Sequence, residues 1–308
     1  MDVLTDIFST VRASSVINAR VDGYAPWGID FEVWDAVKFS LVVSGQACLT
    51  APGVPPRLLS EGDFVVSSHG SRYGLADSAE TVQVPADRVF QGIRESVDRT
   101  IRLGGSGGLT VLLNGKLTFD PSASGFIARF VPPLLVVPQV IAERLGFALY
   151  LERLGAEAAD EQMGGQLIAG WLGGILLIHS LRAYALSDEG ARRGGLVALE
   201  DRQLAQALQA MHQNVARAWT VETLAAEAGL SRSGFAARFQ QKMGTPPLQY
   251  LNEWRQQLAL QALRDPGTSL AELAGQLGYE SYAAFSKAFR KRTGRPPSAW
   301  KKAFRVVP

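Results

Sequence analysis

A chain of 308 residues, 47% hydrophobic and 19% charged, is long enough for two packed domains, and no stretch is biased enough in composition to be disordered. Its net charge of +2 is unevenly spread: from residue 199 onward there are 15 Lys/Arg against 8 Asp/Glu, so that part carries +7 and the remainder −5. The single cysteine, Cys48, excludes an intramolecular disulfide and a thiolate metal cage, and MDVLTDIFSTVR lacks the basic start and apolar core of a signal peptide, so a cytoplasmic location is expected.

Residues 37–84 read as short strands. KFSLVVSG, QACLTAPG and RLLSEGDFVVSS are β-prone runs divided by Gly, Pro and Asp. A glycine-rich loop at 103–108 lacks the GK[ST] ending and the strand-to-helix setting of a phosphate cradle. Asn114-Gly115, between the runs 109–113 and 116–119, carries a two-residue hairpin signal. Many short strands with regular turns predict a small barrel or sandwich. Trp27, Phe31, Trp34, Phe39 and Tyr73, with Arg72, are candidates to line an apolar pocket, although for any one of the aromatics a place in the core is the plainer reading.

From 138 to 186 the apolar period becomes helical. Ile141, Leu145, Ala148 and Leu149 form one stripe; Leu167, Ile168, Trp171, Leu172, Ile175, Leu176 and His179 form another. The run LIAGWLGGILLI has 12 residues, too few to cross a bilayer. Gly170 and Gly174, four apart, leave room for a second helix. Two readings stand for this pair: a homodimer face, or packing against the barrel. SDEGARRGGL, polar and glycine-rich, reads as a linker. After it Leu204, Leu208 and Met211 begin a helical half, in which His212 reads as a helix-end residue.

In that half SLAELAGQLGYESYAAFSKAFRKRTGRPPSAW gives two short helices joined by a turn at Gly278. Ser269 and Glu272 stand at capping-box spacing. The second helix buries Ala284, Phe285, Ala288 and Phe289, and its other face carries Tyr282, Ala283, Ser286, Lys287, Arg290 and Lys291. Past Gly278 eight Lys/Arg face one acid, Glu280. The plain alternative is a solvated basic face, but an upstream copy, TVETLAAEAGLSRSGFAARFQQKMGTPP, decides against it. Phe235, Phe239 and Gly244-Thr245-Pro246-Pro247 recur 50 residues later, whereas Leu224-Ala225 and Gly229 recur after 49. The second copy therefore holds one extra residue between turn and outer helix. Between the copies, residues 248–264 read as one helix with Leu251, Trp254, Leu258 and Ala262 on a face. At about 1.5 Å per residue it spans roughly 26 Å, enough for two groove-reading helices about 34 Å apart, near one DNA turn.

SRSGFAARF, GTPPLQYLNEWR and GYESYAAFSKAFRKRTGRPPSAW together resemble the AraC family of transcription regulators, over roughly the last third of the chain. The resemblance places Arg232, Ser233, Ala236 and Ala237 on the DNA face of the first recognition helix. It places Tyr282, Ala283, Ser286 and Lys287 on that of the second, with Arg290 and Lys291 as further contacts. Family members often carry a polar or basic residue where this chain has Ala236 and Ala237, so base reading there leans on Arg232 and on thymine methyls. FSLVVSGQACLT and LLSEGDFVVSSHGSRYGLAD resemble the cupin-type sensor domain that precedes many such regions, with Gly45, Gly62-Asp63 and His69-Gly70 as landmarks. Metal-binding cupins use several histidines and a carboxylate; this domain has His69 and, where a second histidine can stand, Tyr73. No metal or cofactor is therefore expected.

The fold class expected is multidomain. An N-terminal all-β cupin-like barrel (1–137) leads into a helical dimerisation segment (138–186) and a linker (187–198). A C-terminal all-α domain with two helix-turn-helix units (199–308) follows. The resemblance implies a regulator, an activator rather than a repressor, that binds double-stranded DNA as a homodimer. It also implies a small-molecule effector, with Trp27, Trp34, His69, Arg72 and Tyr73 as candidate contacts, and RNA polymerase as a partner of an activator. Two other readings are weighed. A regulator without effector would use its barrel only to dimerise. A cupin enzyme would need a metal cluster or a nucleophile–base pair, and histidines at 69, 179 and 212 alone give it little material.

Overall fold

The computed structural model describes residues 2–11, 13–32, 36–68, 71–91, 100–119, 121–159, 163–185 and 195–304. The chain forms two compact units, Ala13–Ala191 and a second made of Met1–Arg12 with Arg192–Pro308. After helix α1 (Val3–Thr10), which belongs to the second unit, the first unit runs through β1 (Ala13–Tyr24), β2 (Gly28–Phe31), β3 (Val37–Ser44), β4 (Gln46–Ala51), β5 (Val54–Ser60), β6 (Phe64–Ser67), β7 (Tyr73–Ala76) and β8 (Val84–Pro85). It continues with α2 (Ala86–Val89), β9 (Thr100–Gly104), β10 (Leu109–Phe119), α3 (Pro121–Ile127), β11 (Leu134–Val137), α4 (Gln139–Arg144), α5 (Phe147–Ala159) and α6 (Gly165–Ala185).

Among the described residues the strands make two sheets, ordered β11-β6-β3-β10-β1-β9 and β5-β4-β7-β2-β8. Val21, Val42, Val65 and Leu112 of the first sheet meet Ile29, Leu49 and Leu75 of the second, with Trp27 just ahead of β2, in one buried core. Within the first sheet β3 is buried on both faces over its first six residues, Lys38 and Ser40 included. The sheet's outer face carries Phe39 and Phe64, and Phe64 meets Phe147 of α5 edge-on at 4.7 Å. The helical segment thus packs against the barrel within the chain.

One expectation is corrected in this unit. Asn114-Gly115 is no hairpin: both lie inside the continuous strand β10, opposite Ser40 and Phe39 of β3. The Asn114 amide oxygen accepts the Ser40 hydroxyl at 2.7 Å, and a Cβ at Gly115 would lie 2.1 Å from the Phe39 ring. Here glycine answers a close approach, not a turn. Most of the two helical stripes is left exposed rather than packed on the barrel, as the homodimer reading expects. Gly146, at φ +71, breaks the first into α4 and α5, which bury Ala142, Phe147, Leu151 and Leu154 while Ile141 and Leu149 stay exposed. In α6 the buried side is Leu176, Leu177, Ser180 and Leu181, while Leu167, Ile168, Trp171 and Ile175 face solvent. Among the described residues no helix is long and apolar enough to cross a membrane.

The second unit continues from α1 into α7 (Gly195–Glu200), α8 (Arg202–Gln213), α9 (Val221–Glu227), α10 (Arg232–Met243), α11 (Pro247–Ala262), α12 (Leu270–Gln276), α13 (Tyr282–Thr293) and α14 (Pro297–Phe304). Leu196, Val197 and Ala198, expected in the linker, are buried in α7; residues 187–194 of that linker lie outside the described residues. The first twelve residues also leave the barrel, where the sequence placed them. α1 packs on α8 and α11, burying Val3 and Ile7, and Asp2 caps it by accepting the Thr5 N–H at 2.9 Å.

Candidate nucleic-acid interface

Each helix-turn-helix is built by the same local chemistry. α9 and α12 end in matching left-handed caps: Gly229 (φ +63) and Gly278 (φ +77) turn the chain. The N–H of Leu230 then reaches the Ala225 carbonyl, and that of Tyr279 the Ala274 carbonyl, both at 2.9 Å. One residue, Leu230, separates the first glycine from the helix cap Ser231; Tyr279 and Glu280 separate the second from Ser281. That is the extra residue expected in the second copy, and it is taken up in the turn. Ser231 and Ser281 then accept the N–H of Gly234 and Ala284, each at 3.2 Å, to start α10 and α13. Gly244 (φ +71) and Gly294 (φ +75) end them.

α11 joins the two units by lending one end to each core. Its Tyr250 packs against Phe239 at 5.9 Å, while Ala259, Leu260 and Leu263 join Leu273, Leu277, Phe285 and Phe289. Arg255, midway, is buried and donates to the Val215 carbonyl at 3.0 and 2.8 Å and to the Arg217 carbonyl at 3.0 Å. Its guanidinium also lies 5.8 Å from the Tyr279 ring in the second turn. Burial lowers its pKa, although Tyr279 opposes the shift. One side chain thus braces the connecting helix, the loop after α8 and the second turn.

His212, in the last turn of α8, is more than a helix-end residue. Its ring stacks on Trp254 at 4.2 Å, its Nε2 is 2.8 Å from the Tyr250 hydroxyl, and Asp6 Oδ2 of α1 lies 3.3 Å from Nδ1. Burial pushes the imidazole down to about 3, so the ring is neutral near pH 7.

The outer faces of α10 and α13 match position for position. Phe235 and Phe239 are buried as Phe285 and Phe289 are. Arg232, Ser233 and Ala237 are exposed with Ala236 half-buried, as Tyr282, Ala283 and Lys287 are exposed with Ser286 half-buried. Their spacing puts each set on one helix face, opposite the phenylalanines. The charges differ. Among the described residues Lys287, Arg290 and Lys291 make no ion pair, whereas Arg232 is held by Glu222 at 2.7 Å. Arg238 and Lys242 are drawn back onto Asp201 at 2.7 and 2.8 Å. Burial pushes the Asp201 carboxyl up, but the hydrogen bonds from Lys242 and Arg238 outweigh it and hold the group below its ordinary value. The basic residues of the first helix are thus bound within the fold, whereas on the second only Arg292 is paired, with Glu253 at 3.6 Å, among the described residues.

The 50-residue offset that aligned the phenylalanines also aligns Gln240 and Gln241 with Arg290 and Lys291, and all four are exposed. The two glutamines carry no charge and so give no basic signal in the sequence. They occupy the positions on α10 that Arg290 and Lys291 hold on α13.

Among the described residues the expected effector contacts Trp27, Tyr73 and Arg72 take different places. Trp27 and Tyr73 are buried in the barrel core, Tyr73 stacked on Phe31 at 4.6 Å. Arg72 is an exposed partner of Asp30, Nη2 to Oδ2 at 2.5 Å. Trp34 and His69 lie outside the described residues. Beside Tyr73 the sequence missed Lys38, a buried lysine whose Nζ donates to the Glu32 carbonyl at 2.7 Å and lies 5.2 Å from the Tyr73 ring. Burial pushes its pKa down to about 8 against the pull of Asp30.

Comparison with known proteins accords with this architecture. Residues 2–185 match a family model described as Cupin, and residues 224–303 one described as Helix-turn-helix domain. The chain is 32% identical over 303 residues to a putative AraC-like transcription regulator of Streptomyces lividans, covering 98% of each chain. It is 30% identical over 303 residues to another from Streptomyces antibioticus, covering 98% of this chain and 99% of that one. A solved structure, the DNA-binding domain of AdpA in complex with a target DNA, is 34% identical over 33% of this chain and 92% of its own, with a TM-score of 0.32. With a cupin unit ahead of a twofold helix-turn-helix, this chain belongs to the AraC-like transcription regulators and is a DNA-binding protein.

Proposed function

We propose that the protein is a ligand-responsive activator of transcription, whose α10 and α13 enter successive major grooves of double-stranded DNA. The observation that carries this reading is the repeated outer face, presented twice on one braced scaffold, with Lys287, Arg290 and Lys291 unpaired on the second helix. Phosphate contacts fix register, and base-edge contacts specify sequence. Lys287 and Arg290 are placed to do either. On the first helix Arg232, Ser233, Ala236 and Ala237 meet DNA, and Arg232 exchanges Glu222 for a phosphate or a base. That exchange is inexpensive, because both partners are exposed and such pairs contribute at most about 1 kcal/mol. Substituting Lys287→Ala weakens specific binding by about 1–3 kcal/mol if Lys287 reads guanine. A loss of equal size on all sequences assigns it to phosphate, and no loss removes it from the interface.

The active form in this reading is a homodimer. α6 is apolar all round, yet one side is left in solvent, with Leu167 58% and Trp171 63% exposed beside Ile168 and Ile175. A helix of that composition calls for cover on both sides, and a second copy supplies it isologously. Control comes from a small molecule bound in the barrel unit, and RNA polymerase is the partner of the activated complex. A change in affinity for its DNA site on ligand addition supports this control. An effector-free regulator gives none.

A further inference from the structure

We propose that Asp201 is a positioning residue for DNA reading: it sets the roll of α10 about its own axis, and with it the direction in which Arg232, Ser233, Ala236 and Ala237 point. The proposal rests on the reading that this face meets base edges, and it names what holds the face in place. Phe235 and Phe239 are buried on the other side of α10, but apolar burial is non-directional. Hydrogen bonds to a charge are short and directional, and Asp201 supplies them. Its side chain is 2% exposed, and its two oxygens are divided between two helices. Oδ1 caps α8, accepting the N–H of Gln203 at 3.2 Å and of Leu204 at 3.4 Å. Oδ2 accepts Arg238 Nε at 2.7 Å and Lys242 Nζ at 2.8 Å. Arg238 and Lys242 stand four apart on one flank of α10, so a single oxygen grips two successive turns. Arg238 Nη1 also donates to Gln203 Oε1 at 2.9 Å, which gives the start of α8 a third hold on the helix.

Two observations favour positioning over plain stability. A carboxylate hidden from water is costly unless fully paired, and well-packed apolar residues in place of a buried ion pair are often as stable. Burying Asp201 is therefore a poor way to gain stability and a good way to fix geometry. The tie also recurs. The 50-residue offset aligns Lys242 with Arg292, each in the last turn of its recognition helix, and Arg292 pairs with Glu253 of α11 at 3.6 Å. α11 opens the second unit as α8 opens the first. The acids themselves do not align, since 50 residues after Asp201 stands Leu251. The same tie is thus made in both units with carboxylates from different positions, as expected if the tie, rather than either residue, is what DNA reading needs. A recognition face has to be held within about 10–20° of its productive direction.

The test uses the full chain and the duplex it selects from a random pool, with single-base changes placed in each of the two elements. Lys287→Ala identifies the element read by α13, and the other is that of α10. Asp201→Asn keeps an oxygen to cap α8 and removes the charge. The expected result is a loss of about tenfold in discrimination within the α10 element. Discrimination in the other element should be unchanged, and affinity for random duplex should not fall, because Arg238 and Lys242 are set free. Arg238→Gln combined with Lys242→Gln, both at partly exposed positions, should relax the same element. Glu253→Gln should relax the α13 element alone, and by less, since its pair is longer and more exposed. The proposal is overturned if Asp201→Asn keeps the parent's discrimination in the α10 element, loosens both elements alike, or weakens specific and random binding together. Where Asp201→Asn shows no cooperative thermal transition, the double variant decides, and parent-like discrimination in it overturns the proposal. Two elements selected by the parent and unchanged in these variants would remove the role of Asp201 and leave the groove reading standing. A parent that selects no duplex at all would remove both.

Discussion

His212 reports on the contact between the first helix and the connecting rod. Its imidazole is about 3 in the folded chain and ordinarily about 6.5 in an unfolded one. The unfolded chain therefore binds the proton first as pH falls. Stability is unaffected by this group above about pH 6.5 and declines below it, approaching about 1.4 kcal/mol per pH unit until the folded ring itself titrates. Urea unfolding of the full chain at pH 7, 6 and 5 should record that decline, and His212→Gln should flatten it; an unchanged slope in the variant would place the acid sensitivity elsewhere. The sequence identified His212 as part of a helix end, since only its neighbours along the chain were visible. The partners that set its behaviour, Asp6, Tyr250 and Trp254, are 38 or more positions away.

At the scale of elements, the two turns offer a controlled comparison. Gly229 and Gly278 share a left-handed conformation, so alanine at either costs about 1–2 kcal/mol. At Gly229 a new Cβ meets nothing within 4 Å, whereas at Gly278 it meets the Ala216 carbonyl at 2.5 Å and Arg255 Nη2 at 2.8 Å. Gly278→Ala should therefore destabilise the chain clearly more than Gly229→Ala, as read by chemical denaturation. Equal losses would mean that the Arg255 brace yields freely. The α6 face makes a second prediction: Trp171→Glu should convert a dimer to a monomer by light scattering at micromolar concentration while leaving the thermal transition nearly unchanged. A parent protein that is already a monomer would refute the homodimer reading. Periodicity located α5 and α6 but left open which side meets the barrel. Both faces of α6 are apolar, and only the positions of Phe39 and Phe64 beneath the helices decide which face is covered. The same limit applies to Asn114-Gly115, where the signal for a turn and the signal for close packing are one glycine.

For the molecule as a whole, what was legible was what repeats or what carries charge. The spacing of Phe235 and Phe285 and the basic tail gave the twofold DNA-binding architecture, because each copy must fold by the same local rules. The membership of α1 in the second unit was not legible, since Val3 and Ile7 fit any apolar surface and the sequence alone cannot say which one they meet. Phosphate neutralisation by Lys287, Arg290, Lys291 and their neighbours implies binding that weakens steeply with salt, so specificity is best read at fixed ionic strength. The central claim is that two recognition helices, braced by α11 and Arg255, read adjacent grooves. It is tested most directly by selecting bound duplexes from a random pool with the full chain. The account predicts enriched sites with two short elements whose centres lie about 10 base pairs apart, one helical turn, and loss of one element's enrichment in Lys287→Ala. Recovery of no sequence above the starting pool at low salt, or of a single element unaffected by changes to α13, would contradict it.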